Sequence, residues 1–197
     1  MKYALVILTF LASLISYSQC EYADVKYNRT TKLLFLKQYP ITLDVFETPY
    51  NGRIILATMM RVGDNYTIDL EITTDSNARE LEPVCFKEGS KLSFALKNNK
   101  IVTLLQKEEI ICGIKESDPN TSYNTVSNYA RFELTQEAYD VLKNHEIIMM
   151  KVISEDYSKA FVLKSELEEV IDGEVVITNP TRFFMDNIDC LTNPKFD

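Results

Sequence analysis

Four cysteines and a single histidine bound the chemistry open to this 197-residue chain. A zinc site needs three or four His, Cys or carboxylate ligands at close spacing, and neither H-E-x-x-H nor C-x-x-C occurs. His145 follows a short helical pattern, where imidazole commonly interacts with the last carbonyls of the helix. Any Ser-His-Asp or Cys-His arrangement would have to use it, yet no G-x-S-x-G elbow accompanies any serine. P-loop and G-x-G-x-x-G fingerprints do not occur either. The residues therefore lead us to expect no catalytic nucleophile, no metal and no cofactor. Carboxylates are the open class, because a glycosidase needs only two well-placed acids. Glu108-Glu109, Glu168-Glu169, and Asp186 with Asp189 are available, but among 29 acids such pairs arise by chance, and a solvated face explains them better. The best sugar platform, Trp, does not occur, while eleven Tyr keep a lectin reading open.

The cysteines read as a disulfide framework once the start of the chain is considered. Lys2 precedes the uncharged apolar run Ala4–Ile15, and Ser16, Ser18 and Gln19 follow. A basic start, an apolar stretch and a small polar exit make residues 1–19 a secretory signal peptide. The run falls short of the ~20 apolar residues that cross a bilayer. Residues 20–197 then form one domain in a secreted or periplasmic setting, where disulfides persist. Cys85 and Cys112 bracket a hairpin centred on Asn98-Asn99. With a two-residue turn, Leu96 opposes Ile101, Phe94 opposes Thr103 and Leu92 opposes Leu105. Extending that register brings Cys85 opposite Cys112 at a hydrogen-bonded site, with Cα atoms about 5.5 Å apart, a span that suits a disulfide. Cys20 and Cys190 remain as a second, looser pair. A lipidated Cys20 is the minority alternative: Gln19 stands where a small residue is favoured, and acylation would leave an odd thiol.

Composition narrows the partners. The hydrophobic share of 46% and charged share of 25% are those of a globular chain, and the length suits one domain. The formal net charge of -8, with basic residues scattered singly, argues against nucleic acid and anionic lipid surfaces. Beyond residue 19 the longest apolar stretch, Ile54–Met60, is stopped by Arg53 and Arg61, so no transmembrane segment is expected.

Hydrophobic periodicity supplies the elements. Tyr66, Ile68, Leu70 and Ile72 alternate with Thr67, Asp69, Glu71 and Thr73, the pattern of a half-buried strand. Ile41, Leu43 and Val45 repeat it. Ile54–Val62 meets this strand across Gly63-Asp64-Asn65 in a hairpin. Tyr129–Leu134 reads as a strand, Thr135 as the cap of a helix burying Ala138, Val141 and Leu142, and Glu146–Ile153 and Ala160–Leu163 as further strands. Ser165 with Glu168 has the form of a capping box, predicting a helical segment that ends at Gly173. Asn179-Pro180 opens a last helix whose Phe184, Ile188 and Leu191 share a face with Phe183 beside them. The segment Lys115–Asn128 reads as the longest loop, a solvated excursion in which Asn120, Tyr123 and Asn124 are the candidate binding residues. Asn28, Asn65 and Asn120 each begin an N-glycosylation triplet, inert in a bacterial exporter. The fold class expected is mainly β (α+β). It would be an antiparallel β-sandwich or curved sheet built from hairpins, with two or three short helices including a C-terminal helix packed on the sheet.

The ending Ser16-Tyr17-Ser18-Gln19 resembles signal peptides of secreted Bacteroidota proteins. The stretches Gly89-Ser90-Lys91-Leu92-Ser93-Phe94-Ala95-Leu96, Ile101-Val102-Thr103-Leu104 and Ala130-Arg131-Phe132-Glu133-Leu134-Thr135 are similar to uncharacterised secreted domains of that group. The resemblance implies a compartment and a β-rich fold, and no activity. Three functions stay open on the residues alone. The chain could be a non-enzymatic domain binding a protein or envelope component, a small carboxylate-dependent hydrolase or carbohydrate-binding module, or a purely structural part of a larger assembly. The empty catalytic inventory favours the first and third.

Overall fold

Alternating strands build two antiparallel sheets around one core. The computed structural model describes residues 20–77, 81–107, 109–117, 123–171 and 173–194, so the signal-peptide segment, Glu108 and Asn120 lie outside the described residues. The larger sheet runs β1 (Tyr22–Asn28), β2 (Leu33–Gln38), β4 (Asn51–Val62), β5 (Asn65–Ser76), β11 (Asn124–Glu133) and β10 (Ile114–Ser117). β3 (Ile41–Glu47) continues the edge begun by β2: β2 pairs with Met60–Val62 of β4, and β3 pairs with residues 52–57. The smaller sheet is β13 (Ser158–Val162), β12 (Ile147–Ile153), β7 (Lys91–Leu96) and β8 (Ile101–Leu105). Two short ribbons stand apart, β6 (Cys85–Phe86) with β9 (Ile111–Cys112) and β14 (Leu167–Ile171) with β15 (Glu174–Thr178).

Period-two patterning decides what faces inward. Ile55, Ala57 and Met59 of β4, Ile68, Leu70 and Ile72 of β5, and Ala130 and Phe132 of β11 share a core with Leu92, Phe94 and Leu96 of β7 and Met150 and Val152 of β12. The helix α1 (Gln136–Leu142) starts at Thr135, whose Oγ1 accepts from the Ala138 N–H at 3.3 Å, and it buries Ala138 and Leu142. At the C-terminus a 3-10 turn, Pro180–Arg182, leads into α2 (Phe183–Asn187) and α3 (Asp189–Thr192). Phe183, Phe184, Ile188 and Leu191 enter the core from this segment, as the apolar face read from the sequence predicts.

Three expectations need correction. The hairpin β7–β8 turns on three residues, with Leu96 N–H bonded to the Lys100 carbonyl at 2.9 Å and Asn99 in the left-handed region at φ 64°. Leu92 therefore opposes Leu104 and Phe94 opposes Val102, one residue away from the expected register. A one-residue slip exchanges the two faces of a strand. Ile101, Thr103 and Leu105 point to solvent, while Val102 and Leu104 turn to the core. Cys85 and Cys112 are nonetheless opposite each other and bonded, because the chain from Phe86 to Lys91 is one residue shorter than that from Leu105 to Ile111, which restores the offset. Their Cα atoms are 4.0 Å apart, the close spacing of a non-hydrogen-bonded pair rather than the wider one expected. The Gly113 N–H bonds the Val84 carbonyl just beyond, and a Cβ on Gly113 would collide with Asn128 Oδ1. That glycine lets the disulfide ribbon lie against β11.

The second correction is the segment after Ser165. It is not helical but a hairpin, with Leu167 opposite Thr178 and Gly173 at φ 86° in its turn. Val170, Ile171, Val175, Val176 and Ile177 are β-branched and outweigh the capping pattern. The third is Lys115–Asn128, of which the described residues are almost all strand. β10 and β11 occupy both ends of it, and Asn124–Glu133 pairs along β5, with Val126 fully buried.

Cys20 is bonded to Cys190 across 170 residues, and Cys85 to Cys112 across 27. Loop-closure entropy assigns the long link about 5 kcal/mol and the short one about 3.5 kcal/mol. Guanidinium unfolding of a Cys20→Ser/Cys190→Ser protein should therefore show the larger loss of stability, with a Cys85→Ser/Cys112→Ser protein losing less.

Candidate functional site

The residues picked out in the sequence are dispersed. Tyr123 is half-exposed, and its hydroxyl donates to the Pro49 carbonyl at 2.8 Å, fastening the segment to the turn before β4. Asn124 belongs to β11 and accepts from Ser117 Oγ at 2.6 Å. These two side chains brace a hairpin. Glu168 and Glu169 are neighbours on a strand, so they project to opposite faces of the β14–β15 ribbon. His145 is half-buried beside Asn144, Glu146 and Met185 at a shallow surface depression. Among the described residues, no three His, Cys, Asp or Glu come together in a way that could hold a metal ion.

Asp186 and Asp189 take different partners. Asp186 forms an i,i+4 pair with Arg182 at 2.9 Å on the exposed helix face. Asp189 Oδ1 accepts from Lys143 Nζ at 2.6 Å and from the Tyr139 hydroxyl at 2.7 Å. The Lys143 hydrogen bond holds the Asp189 carboxyl below the usual carboxylate range, and the same contact raises the ammonium. Burial pushes the Tyr139 phenol up. The cluster joins α1 to α3, which is a structural task. Because the folded value of Asp189 is depressed, its contribution is complete above about pH 3.9 and is lost as pH falls through the folded value. Lys143 behaves oppositely, its contribution vanishing as pH rises above its raised value. Urea midpoints measured from pH 2 to 7 should thus show Asp189→Asn less stable than the parent near neutrality, with the difference closing toward pH 2.

One arrangement that could take a ligand lies on the outer face of the larger sheet. Register aligns Thr58, Asp69 and Arg131 in one row across β4, β5 and β11, and Leu56, Glu71 and Tyr129 in the next. Lys37 of β2 stands beside Met60 at one side. The sheet curls here, so that the two rows, Lys37 and Ile111 of β9 line a concavity of about 280 Å3. Thr58 and Met60, although on the outward face, are buried by the curl.

Its electrostatics are partly settled within the chain. Arg131 Nε and Nη2 donate to the two oxygens of Asp69 at 2.6 and 2.8 Å, a bidentate charge-assisted pair. Arg131 Nη2 also approaches the Met60 sulfur at 3.8 Å. Glu71 receives only a long bond from Thr73 Oγ1, 3.3 Å. Lys37 has no ion-pair or hydrogen-bond partner among the described residues. One carboxylate is thus occupied by a guanidinium, while a second carboxylate, an ammonium, Leu56 and Tyr129 remain turned to solvent. Such a surface offers hydrogen bonds of both polarities and a small apolar contact. It does not offer two carboxyl groups free for acid–base work.

The alternation from Tyr66 to Thr73 places Asp69 and Glu71 on the polar side of a strand and gives no link to Lys37, Tyr129 and Arg131. The alternation of β5 was a usable signal for the face, but nothing in it signals the curl. No protein-family model, no curated protein and no solved structure matches this chain.

Proposed function

We propose that the chain is an exported, non-enzymatic binding domain that takes a protein or envelope component on the concave face of its larger sheet. The observation that carries this reading is the row Leu56–Glu71–Tyr129 with Lys37: unfilled hydrogen-bonding capacity and partly exposed apolar surface, held on rigid strands around a locked Asp69–Arg131 pair. Strand-mounted side chains lose little freedom on binding, so even a shallow concavity of this kind can recognise a partner. Two disulfides fit an oxidising compartment. A Cys20 sulfur bonded to Cys190 is not available for a lipid thioether. Among the described residues no helix is long and apolar enough to cross a membrane.

On the concave face the carboxylate-hydrolase reading would rest on Asp69 and Glu71, and both Asp69 oxygens already accept from Arg131. Affinity capture from an envelope fraction tests the choice. The oxidised domain should retain a component that a Glu71→Lys/Tyr129→Ala protein, folded by circular dichroism, retains at least tenfold less. Equal retention by both proteins would count against the concave face. Turnover of a glycoside or ester lost in Glu71→Gln would favour the hydrolase instead. Mass spectrometry of exported protein should show a chain beginning at Cys20 with both disulfides intact.

A further inference from the structure

The ribbon β14–β15 carries an exposed apolar patch. Leu167 is buried and Thr178 half-buried, fixing one face of the ribbon beside β3. The other face carries Val170, Val175 and Ile177, exposed by 73%, 64% and 58%. Register places Val170 directly opposite Val175, and Ile177 opposite Glu168, so the three apolar side chains form one patch. Two-stranded ribbons are marginal in water, and a soluble chain gains nothing by leaving three β-branched residues on the outer side of one. Among the described residues neither strand pairs with a third, so backbone donors and acceptors line both edges.

Charge says what would cover it. Glu166 and Glu168 are exposed on the side of the patch and Glu174 on the other face of the ribbon, and no ion pair within the described residues compensates them. A second copy of this chain would bring the same carboxylates face to face, which is unfavourable. A basic partner would neutralise them while burying the valines.

We infer that the β14–β15 ribbon is a docking element for an extended segment of another protein, one in which aliphatic side chains alternate with Lys or Arg. The segment adds a strand to a free edge, its aliphatic residues extend the patch of Val170, Val175 and Ile177, and its cations, on the opposite face, meet Glu169 or Glu174. None of these residues lines the concave face of the larger sheet, so the inference stands apart from the function proposed above.

Fluorescence anisotropy with two capped synthetic peptides, one alternating Lys and Val and the other Glu and Val, tests it on the oxidised domain. The Lys–Val peptide should bind at least tenfold more tightly, and more weakly as salt is raised. Val170→Thr/Ile177→Thr, which keeps β-branching and therefore the ribbon, should cost at least tenfold, whereas Glu71→Lys/Tyr129→Ala should leave binding unchanged. Equal affinity for both peptides, no binding of the Lys–Val peptide, or an unaffected Thr variant would overturn the inference. So would a concentration-dependent dimer, seen by sedimentation, that Val175→Thr abolishes, since a second copy would then be the occupant.

Discussion

The docking of the C-terminal helical segment is the contact on which the two sheets depend. Facing sheets leave their core open at the ends, and here Phe184 closes it edge-on against Phe94, with ring centroids 5.1 Å apart. Phe183 packs on Phe184 in a similar tilted contact at 4.9 Å. The helices themselves are too short to persist alone. Their carbonyls are met by side chains from strands far away in sequence: Tyr22 to Cys190 at 2.7 Å, Gln38 to Asn187 at 3.0 Å, and Arg61 to Leu191 at 2.9 Å. Buried carbonyls without such partners would each be costly. Cys20–Cys190 then ties the first described residue to the same helical segment. Helix, β1, β2 and β4 therefore hold one another, and losing the helix would leave several buried groups unpaired at once.

That mutual support explains which parts of the fold could be read from residue order. β5 is legible because its buried and exposed sides differ chemically at every step, from Tyr66 to Thr73. The last helix is legible because Pro180 marks its start and Phe184, Ile188 and Leu191 recur at helical spacing. The β7–β8 turn was harder. Asn98-Asn99 announces a tight turn, but two- and three-residue loops use the same residues, and they differ in that Asn99 alone takes a positive φ, where a type I′ turn would place Asn98 there as well. The faces of β8 were read inverted, although Val102 and Leu104 are no less apolar than Ile101 and Leu105. The cysteine pairing survived because a second irregularity, around the buried Gln106, offsets the first. Gln106 donates from Nε2 to the Phe86 carbonyl at 3.0 Å and keeps the two registers joined.

The ribbon after Ser165 shows a different limit. A capping pattern is a local preference of about 1 kcal/mol, whereas several β-branched residues and a glycine turn bias the segment toward paired strands. Local signals compete, and the sum decides. For the candidate site the obstacle was curvature. Lys37, Asp69, Glu71, Tyr129 and Arg131 come from three separate stretches, and only the curl of the sheet makes their shared face a concavity. Alternation specifies which side a residue takes and carries no information on how that side bends.

The two surfaces left turned to solvent differ in kind, and the difference follows from how each is supported. The concave face sits on strands paired on both sides, so its side chains are fixed and its own ion pair, Asp69–Arg131, can be formed in advance. The β14–β15 ribbon is anchored mainly through one buried leucine and carries its uncompensated acids at the margin of an apolar patch. A preorganised polar face discriminates through geometry, since a partner must match donors and acceptors already in place. A loosely anchored apolar ribbon discriminates little by shape, and its selectivity has to come from charge. In an acidic chain of net charge -8, charge would disfavour a second copy of the chain and favour a basic partner.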